Sequence, residues 1–370
     1  MSATPAPPSA LSPAHRLARS LLIAVAALAL SLCIFSPRLW VFRAPMPGST
    51  YWDRGLHFVQ QCNAPLGAPV EDAGLIWRLA PVILAKLLGL HGYAVLIVPW
   101  LGLLVLLAQC AWIIQARTGD WRLSTWATGL VATTGAILTG TGWLGMNDAW
   151  YAAALLAVAL QPGWPALTLA ALAGPWIDER FALAVPLALA VRALAPGRSG
   201  RVRGAFILVA TGLLLYVGGR LLNPFHVQTS GFGSYAHDMR AGAFLQWTPW
   251  TDLGWFMGLR AAWVLVALAI GREWWEGRRL AACWLAGLAL APLVIINFLA
   301  SDTSRAPTML LPLLLLGLEQ AVAQWGAAAS RRLLAGLLIA NLLMPAMHVS
   351  AKHGDIINLL PLELVRLLRP

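Results

Sequence analysis

The chain has few charged residues for its length. Only 11% of its 370 residues are Asp, Glu, Lys or Arg and 59% are hydrophobic, whereas soluble globular domains carry about 25% charged residues. This composition excludes an ordinary soluble enzyme and indicates a membrane protein. A net charge of +11 would otherwise suggest a nucleic-acid partner. The basic residues are interleaved with long apolar runs, however, so no nucleic-acid partner is predicted.

Other features are scarce as well. Three of the four cysteines, Cys33, Cys110 and Cys283, lie in apolar runs, so the sequence has neither a disulfide framework nor a CxxC metal pair. No charge occupies the middle of a predicted span, which counts against an ion-coupled carrier. The sequence also has no convincing internal repeat.

The apolar runs predict an all-α polytopic membrane protein with roughly eleven transmembrane helices. Residues 1–16 predict a disordered cytoplasmic tail, residues 17–349 the bundle, and residues 350–370 a short extracytoplasmic segment. The first run, 17–36, is long enough to span and lacks a cleavage site, so it predicts an uncleaved span with a cytoplasmic N-terminus. Three short runs in 150–195 predict interior or site elements, because broken helices need protein or water around them.

The charges divide unevenly between the two predicted faces. The cytoplasmic loops hold 13 basic and 4 acidic residues, a net charge of +9, and the outer loops hold 13 basic and 11 acidic residues, a net charge of +2. The arginine-rich cytoplasmic loops follow the positive-inside rule. Orientation alone does not require carboxylates on the outer face, so that face is the predicted location of a functional site.

The first outer loop, 38–92, carries Asp53, Arg54 and His57 within one predicted helical turn. Residues 75–90 follow with apolar side chains on one face and Arg78 and Lys86 on the other, which predicts an amphipathic helix in the interface plane. The alternative, an ordinary tilted span, would invert every later loop and remove the charge asymmetry.

Four further outer segments contain polar groups. Asp148 lies in the short loop 145–150, and the triplet Asp178, Glu179 and Arg180 forms either an internal salt bridge or cap or part of a site. The loop 223–254 carries His237, Arg240 and several tryptophans, which predict either sugar stacking or an interfacial aromatic belt. The last of these segments contains Asp302 and Arg305. The planar guanidinium group of Arg305 suits either a phosphate group or a structural ion pair with Asp302.

This arrangement resembles the GT-C superfamily of integral-membrane glycosyltransferases. The resemblance lies in the cytoplasmic N-terminus, the long first outer loop and the number of predicted spans. The first outer loop has an early aspartate, Asp53, which follows Tyr51 and Trp52, and a predicted interfacial helix comes after it. It implies an inverting transferase in a bacterial inner membrane, which moves a sugar from a polyprenyl-phosphate donor to a glycan or lipid acceptor on the periplasmic face. The adjacent acids Glu71 and Asp72 do not form a DxD motif, so no metal and no other cofactor is predicted.

The chemistry assigns a role to each candidate residue. Asp53, matching the superfamily's first-loop acid, is the expected general base, with Asp148 and Glu179 as further catalytic candidates. The leaving phosphate needs cations or hydrogen-bond donors around it, and Arg54, Arg78, Arg240 and Arg305 could supply them. The remaining substrate-binding candidates are His57, Arg180, His237 and Asp302. Two rival functions are an exporter of lipid-linked saccharides, which should carry Arg or Lys in a central cavity, and a non-catalytic subunit of a polysaccharide assembly complex.

Reporter fusions test the predicted orientation. Alkaline phosphatase, which is active only outside the cytoplasm, should be active when fused after Gly233 and inactive when fused after Gly277, and a green fluorescent protein fusion should show the opposite pattern. A cytoplasmic position for residue 233 would remove the common outer face on which the candidate site depends.

Overall fold

The computed structural model describes residues 12–35, 50–65, 76–195, 201–222, 247–299, 303–350 and 354–368. Within these ranges the chain is mostly helical, with one antiparallel hairpin of strands β1 (Ala346–Val349) and β2 (Gly354–Ile357). In the same ranges, three 3₁₀ segments each lead directly into a helix, and they are Gly92–Leu96, Arg260–Ala262 and Ala306–Leu310. The helices are α1 (Pro13–Ile34), α2 (Thr50–Asn63), α3 (Leu79–Leu87), α4 (Ile97–Thr118), α5 (Trp121–Ala132), α6 (Gly135–Gly142), α7 (Asp148–Leu160), α8 (Trp164–Ile177), α9 (Arg180–Leu194), α10 (Val202–Leu222), α11 (Pro249–Leu259), α12 (Trp263–Trp275), α13 (Arg279–Leu299), α14 (Leu311–Leu343) and α15 (Leu360–Leu368).

Within the described ranges, six helical segments are long and apolar enough to cross a membrane. They are Pro13–Ile34, Gly92–Thr118, Val202–Leu222, Pro249–Trp275, Arg279–Phe298 and Ala306–Leu343. The chain is therefore a mostly helical, multi-pass membrane protein. These six segments account for only part of the roughly eleven predicted crossings.

The boundaries differ from the sequence predictions at both ends of the bundle. Helix α1 begins at Pro13, because the Ser12 hydroxyl accepts a hydrogen bond from the backbone N–H of His15 and a proline suits the first helical turn. Residues 13–16 are thus helical, and residues 1–11 lie outside the described part of the chain. At the other end α14 stops at Leu343, so the final apolar run, 333–349, is helical only in its first part and then forms β1.

The length of helix α3 bears on the two interpretations of residues 75–90. It has nine residues, which correspond to about 13 Å, and a crossing needs about 30 Å. Gly89 then adopts a φ of +66°, a conformation that favours glycine and ends the helix. Helix α3 by itself is therefore too short to form the tilted span of the alternative.

Helix α14 doubles back on itself at Gly326. Its backbone leaves the helical region there, with a φ of +77°. Glu319 pairs with Arg117, while Arg331 pairs with Asp120 at 3.7 Å, so residues on both sides of Gly326 meet the same short turn between α4 and α5. The two legs correspond to the separate apolar runs, 307–325 and 333–349, of the sequence prediction.

The short helix α7 lies in the interior of the bundle. Helix α7 is buried from Ala149 to Leu160 except at Trp150, and it packs against α4, α8, α9 and α14. With 13 residues it is about 20 Å long, shorter than the hydrocarbon core of a membrane. At its C-terminus the Arg192 side chain donates hydrogen bonds to the carbonyl oxygens of Ala157, at 3.2 Å, and Gln161, at 2.8 Å.

The bundle has two chemically different ends. At one, the arginine end, Arg117, Asp120, Glu319 and Arg331 pair with one another, and all four belong to the predicted cytoplasmic set. At the other, the site end, Asp148, Asp178, Arg180 and Arg305 meet, and all four belong to the predicted outer set. The partition of charges read from the sequence therefore matches the two ends of the bundle.

Close packing between the first leg of α14 and α12 provides a test of the fold. A Cβ on Gly317 would overlap the carbonyl oxygen of Leu265, whereas a Cβ on Gly287 would meet nothing within 4 Å. We expect Gly317→Val to lower the free energy of unfolding by about 1–3 kcal/mol or more, because overpacking forces the backbone to move. Gly287→Val is the matched control. Equal unfolding midpoints for the two variants in detergent would contradict the packing.

Candidate functional site

Three separate segments contribute the central charged groups of the site end. Asp148 opens α7, Asp178 and Glu179 form the link between α8 and α9, and Arg180 opens α9. The backbone N–H of Arg180 donates to Asp178 Oδ1 at 3.0 Å, so the aspartate caps the helix that follows it. Arg305 directly precedes the 3₁₀ segment Ala306–Leu310.

The Asp148 carboxylate binds two arginines in the interior. Arg305 approaches it with both arms of its fork, with Nε 2.5 Å from Oδ2 and Nη2 2.7 Å from Oδ1. Arg180 donates to the same Oδ1 atom through Nη2, and its guanidinium carbon lies 4.9 Å from the centre of the Tyr151 ring. Asp148 is only 2% exposed, and a buried carboxylate is stable only when it is paired in this way.

The network continues through Asp178 and Glu179. Arg180 also binds Asp178, with Nε 2.8 Å from Oδ1 and Nη2 2.7 Å from Oδ2. Arg78, which precedes α3, bridges the two acids, with Nη1 3.0 Å from Asp178 Oδ2 and Nη2 2.9 Å from Glu179 Oε2. The Asp178–Arg180 pair therefore confirms the structural interpretation of this triplet, and its contacts with Asp148 and Arg78 also connect it to a larger cluster.

Arg220, near the end of α10, forms the last link of the network. Its Nη1 atom lies 3.5 Å from Glu179 Oε1 and donates to the Tyr216 hydroxyl at 2.7 Å. The guanidinium carbon of Arg220 lies 6.0 Å from the centre of the Trp77 ring and 5.4 Å from that of Tyr216. These aromatic faces stabilise a cation that is completely buried.

The pKa of Asp178 reflects this environment. Burial alone would raise the pKa of its carboxyl group, but the guanidinium groups of Arg180 and Arg78 outweigh burial and hold the pKa well below its ordinary value of 3.8. Asp178 therefore carries a negative charge at neutral pH.

A small, partly open pocket lies beside the network. Three arginines, Arg54, Arg78 and Arg305, contribute to its wall. The other lining residues are Phe58, Gln61, Gly145, Met146 and Asn147. No carboxylate is among the described residues that line this pocket. A concave site with three guanidinium groups and two amides is suited to an anion that also carries hydroxyl groups.

Helix α2 forms one wall of the pocket because Arg54, Phe58 and Gln61 follow one another at helical spacing. Gln61 fixes the neighbouring segment, since its Nε2 donates to the carbonyl oxygen of Ile76 at 3.2 Å. On the other side α2 approaches Gly145 so closely that a Cβ there would lie 2.6 Å from the carbonyl oxygen of Arg54. Gly145 also has a φ of +79°, so only glycine suits this turn.

The structure brings together five predicted site residues in one ion-pair network, Asp148, Glu179, Arg78, Arg180 and Arg305. Arg54 joins them at the pocket. Asp53 and His57 are half-buried on the neighbouring stripe of α2, and neither is among the residues that line the pocket. His237, Arg240 and Asp302 lie outside the described residues, as do Glu71 and Asp72.

Sequence reasoning missed several members of the site. Phe58 and Gln61 could have been found at four and seven residues after Arg54, whereas Asp178 was named in the triplet with Glu179 but given no role. Asn147 precedes Asp148, and its Oδ1 atom is buried with no hydrogen-bond partner among the described residues. Nothing in the sequence pairs Arg220 and Tyr216 with Glu179, because the contact joins segments about 40 residues apart.

Metal binding has no clear location in this part of the chain. Across the described ranges, no group of three or more His, Cys, Asp and Glu side chains lies close enough together to hold a metal ion.

Removing the central carboxylate tests the network. We expect Asp148→Asn to lower the free energy of unfolding by about 3–5 kcal/mol, because Arg180 and Arg305 would lose a buried counterion. The control is Asp252→Asn, which alters an exposed carboxylate on α11 and should change stability by about 0.5 kcal/mol or less. Similar unfolding midpoints for both variants would show that the pairing contributes little.

Acidification tests the pKa of Asp178. A carboxyl group whose pKa is lower in the folded state contributes stability above its unfolded pKa, near 3.8, and loses it as the pH falls further. We therefore expect Asp178→Asn to be less stable than the wild type at pH 7, with a difference that shrinks below about pH 4. A difference independent of pH would exclude this ionisation as its source. Unfolding midpoints measured across the pH range provide the comparison.

The chain matches no protein-family model, no curated protein and no solved structure. The chemistry of the pocket and its network is therefore the basis on which a function can be assigned.

Proposed function

We propose that the protein is an inverting glycosyltransferase of the GT-C type in a bacterial inner membrane. It transfers a sugar from a polyprenyl-phosphate donor to a glycan or lipid acceptor on the periplasmic face. The observation that carries the proposal is the meeting of Arg54, Arg78 and Arg305 at one pocket, at the end of an apolar bundle. Guanidinium groups bind phosphate oxygens in a bidentate manner, and the surrounding membrane would accommodate the lipid chain.

The pocket also contains a group suited to a sugar. The Asn147 side chain lines the pocket and has a buried Oδ1 atom with no hydrogen-bond partner among the described residues. A buried acceptor of this kind costs free energy until a donor binds to it. A sugar hydroxyl would supply that donor, while the arginines hold the phosphate.

Three acids were candidates for the general base. Asp148 and Glu179 both bind arginines, which suits them to hold those arginines in place. Asp53 forms no ion pair or hydrogen bond with the described residues and is half-buried on α2. It precedes the pocket residue Arg54, about 100° away around the helix. Asp53 therefore remains the proposed base, and the leaving phosphate needs no separate acid.

The charge partition supports the orientation. The arginine end carries the positive charge typical of cytoplasmic loops, so the pocket at the opposite end would face the periplasm. Because α7, α8 and α9 have 13 to 15 residues, or about 20–22 Å, the site end of these helices would lie below the outer membrane surface. A lipid-linked phosphate could reach that depth from the bilayer.

A transfer assay tests the proposed base. Inner-membrane vesicles would be supplied with undecaprenyl-phosphate-linked radioactive sugars, and label in the acceptor fraction would be measured. We expect Asp53→Asn to lower transfer by about 10²- to 10⁴-fold, because the acceptor hydroxyl loses its proton acceptor. Glu276→Gln, at the arginine end and exposed, is the control and should transfer at the wild-type rate. Wild-type transfer by Asp53→Asn would exclude Asp53 as the base.

One observation favours a second candidate function. An exporter of lipid-linked saccharides should carry cations in an internal cavity, and the arginine-lined pocket has that character. The same vesicles distinguish the two functions. Movement of intact donor across the bilayer, without label in any acceptor, would identify an exporter and contradict the transferase.

A further inference from the structure

The C-terminal hairpin is attached to the turn that carries Arg305. The hydroxyl of Thr303 donates to the carbonyl oxygen of Val349 at 3.0 Å, and the backbone N–H of Ser304 donates to the same oxygen at 3.1 Å. In the opposite direction the backbone N–H of Val349 donates to Ser304 Oγ at 2.9 Å. Three hydrogen bonds thus hold strand β1 against residues 303–304.

His348 adds a side-chain contact to this attachment. Its Nδ1 atom lies 3.0 Å from Ser304 Oγ. The same Ser304 hydroxyl oxygen accepts the N–H of Val349, so one hydroxyl group links the His348 ring to the backbone of β1. The ring packs edge-on against Trp143, with 4.6 Å between ring centres. Ser304 is fully buried and His348 is 7% exposed, so water does not replace this hydrogen bond.

The turn is also confined from its other side. Helix α11 approaches so closely that a Cβ on Gly254 would overlap the Thr303 hydroxyl. The turn therefore lies between α11 and β1, and the residue that follows it is Arg305. A small movement of Ser304 would move the Arg305 guanidinium group, which binds Asp148 in a bidentate manner and lines the pocket.

We propose that His348 is a positioning residue, which acts through Ser304 to hold Arg305 in the geometry that both Asp148 and the pocket require. The C-terminal hairpin thereby becomes part of the site, although it lies about 40 residues after Arg305 in the chain. The identity of the anion as a lipid phosphate rests on the proposed function. The positioning of Arg305 is independent of the proposed function.

Four variants test the positioning role. Ser304→Ala removes the hydroxyl, and His348→Phe removes the nitrogen but keeps a ring against Trp143. His348→Asn retains a polar atom near the position of Nδ1 and should rescue the contact. Ser124→Ala is the matched control, because Ser124 is equally buried and donates to the carbonyl oxygen of Ala111 at 3.0 Å in another part of the bundle.

Two measurements on the full-length protein in detergent distinguish the proposals. The first is the rate at which phenylglyoxal modifies Arg305, measured by mass spectrometry relative to the exposed Arg122. The second is the dissociation constant for farnesyl phosphate, a short polyprenyl phosphate. We expect Ser304→Ala and His348→Phe to speed the modification of Arg305 and to weaken farnesyl phosphate binding about tenfold, the scale of one charge-assisted hydrogen bond. His348→Asn and Ser124→Ala should resemble the wild type.

Each contrary outcome has a separate meaning. Equal Arg305 modification in His348→Phe and Ser124→Ala would overturn the positioning role, whatever the binding data show. Unchanged farnesyl phosphate binding in His348→Phe, despite faster modification, would overturn the link between this position and the pocket. If the wild type does not bind farnesyl phosphate but the modification rates differ as expected, the proposed phosphate site fails while the positioning of Arg305 stands.

Discussion

The pairing of Asp148 with Arg180 and Arg305 is the interaction on which the site end depends. A carboxylate with 2% exposure inside an apolar bundle is costly unless cations surround it. Each arginine would be costly without the carboxylate. These mutual requirements connect the start of α7, the start of α9 and the turn before α14 at one point. The same contacts leave an edge of the Arg305 guanidinium group in the wall of the pocket.

Helix length explains why charged groups can meet inside a membrane protein. Helices α7 and α9 are too short for a full crossing, and the charged residues at their starts, Asp148 and Arg180, are buried within the bundle. Backbone groups at such ends need partners. Asp178 supplies one for the start of α9, and Arg192 supplies partners for the end of α7. Short helices therefore create both the interior position of the site and the need for polar side chains there.

The network divides the acids of the proposed transferase into two groups. Asp148, Asp178 and Glu179 bind arginines and so position the cations that a phosphate would meet. Asp53 lies beside the pocket on α2 and forms no such pair with the described residues, which suits a group that must accept a proton. Separating the two tasks avoids a conflict, because a carboxylate that neutralises an arginine cannot also serve as an effective base.

The sequence by itself determined the class of protein, most of its helices and the two sets of charges. Apolar composition and run length are local properties of the sequence. Charged residues collect in the loops between apolar runs because a charge inside a membrane is costly, so Arg117 and Asp148 could be assigned to opposite ends from the sequence alone. It also identified Arg78, Arg180 and Arg305 as site candidates from their neighbours. Only the tertiary structure decided which residues pair. The contacts of Arg305 with Asp148, of Arg220 with Glu179 and of Ser304 with His348 join distant segments, and helix packing rather than sequence spacing brings those segments together.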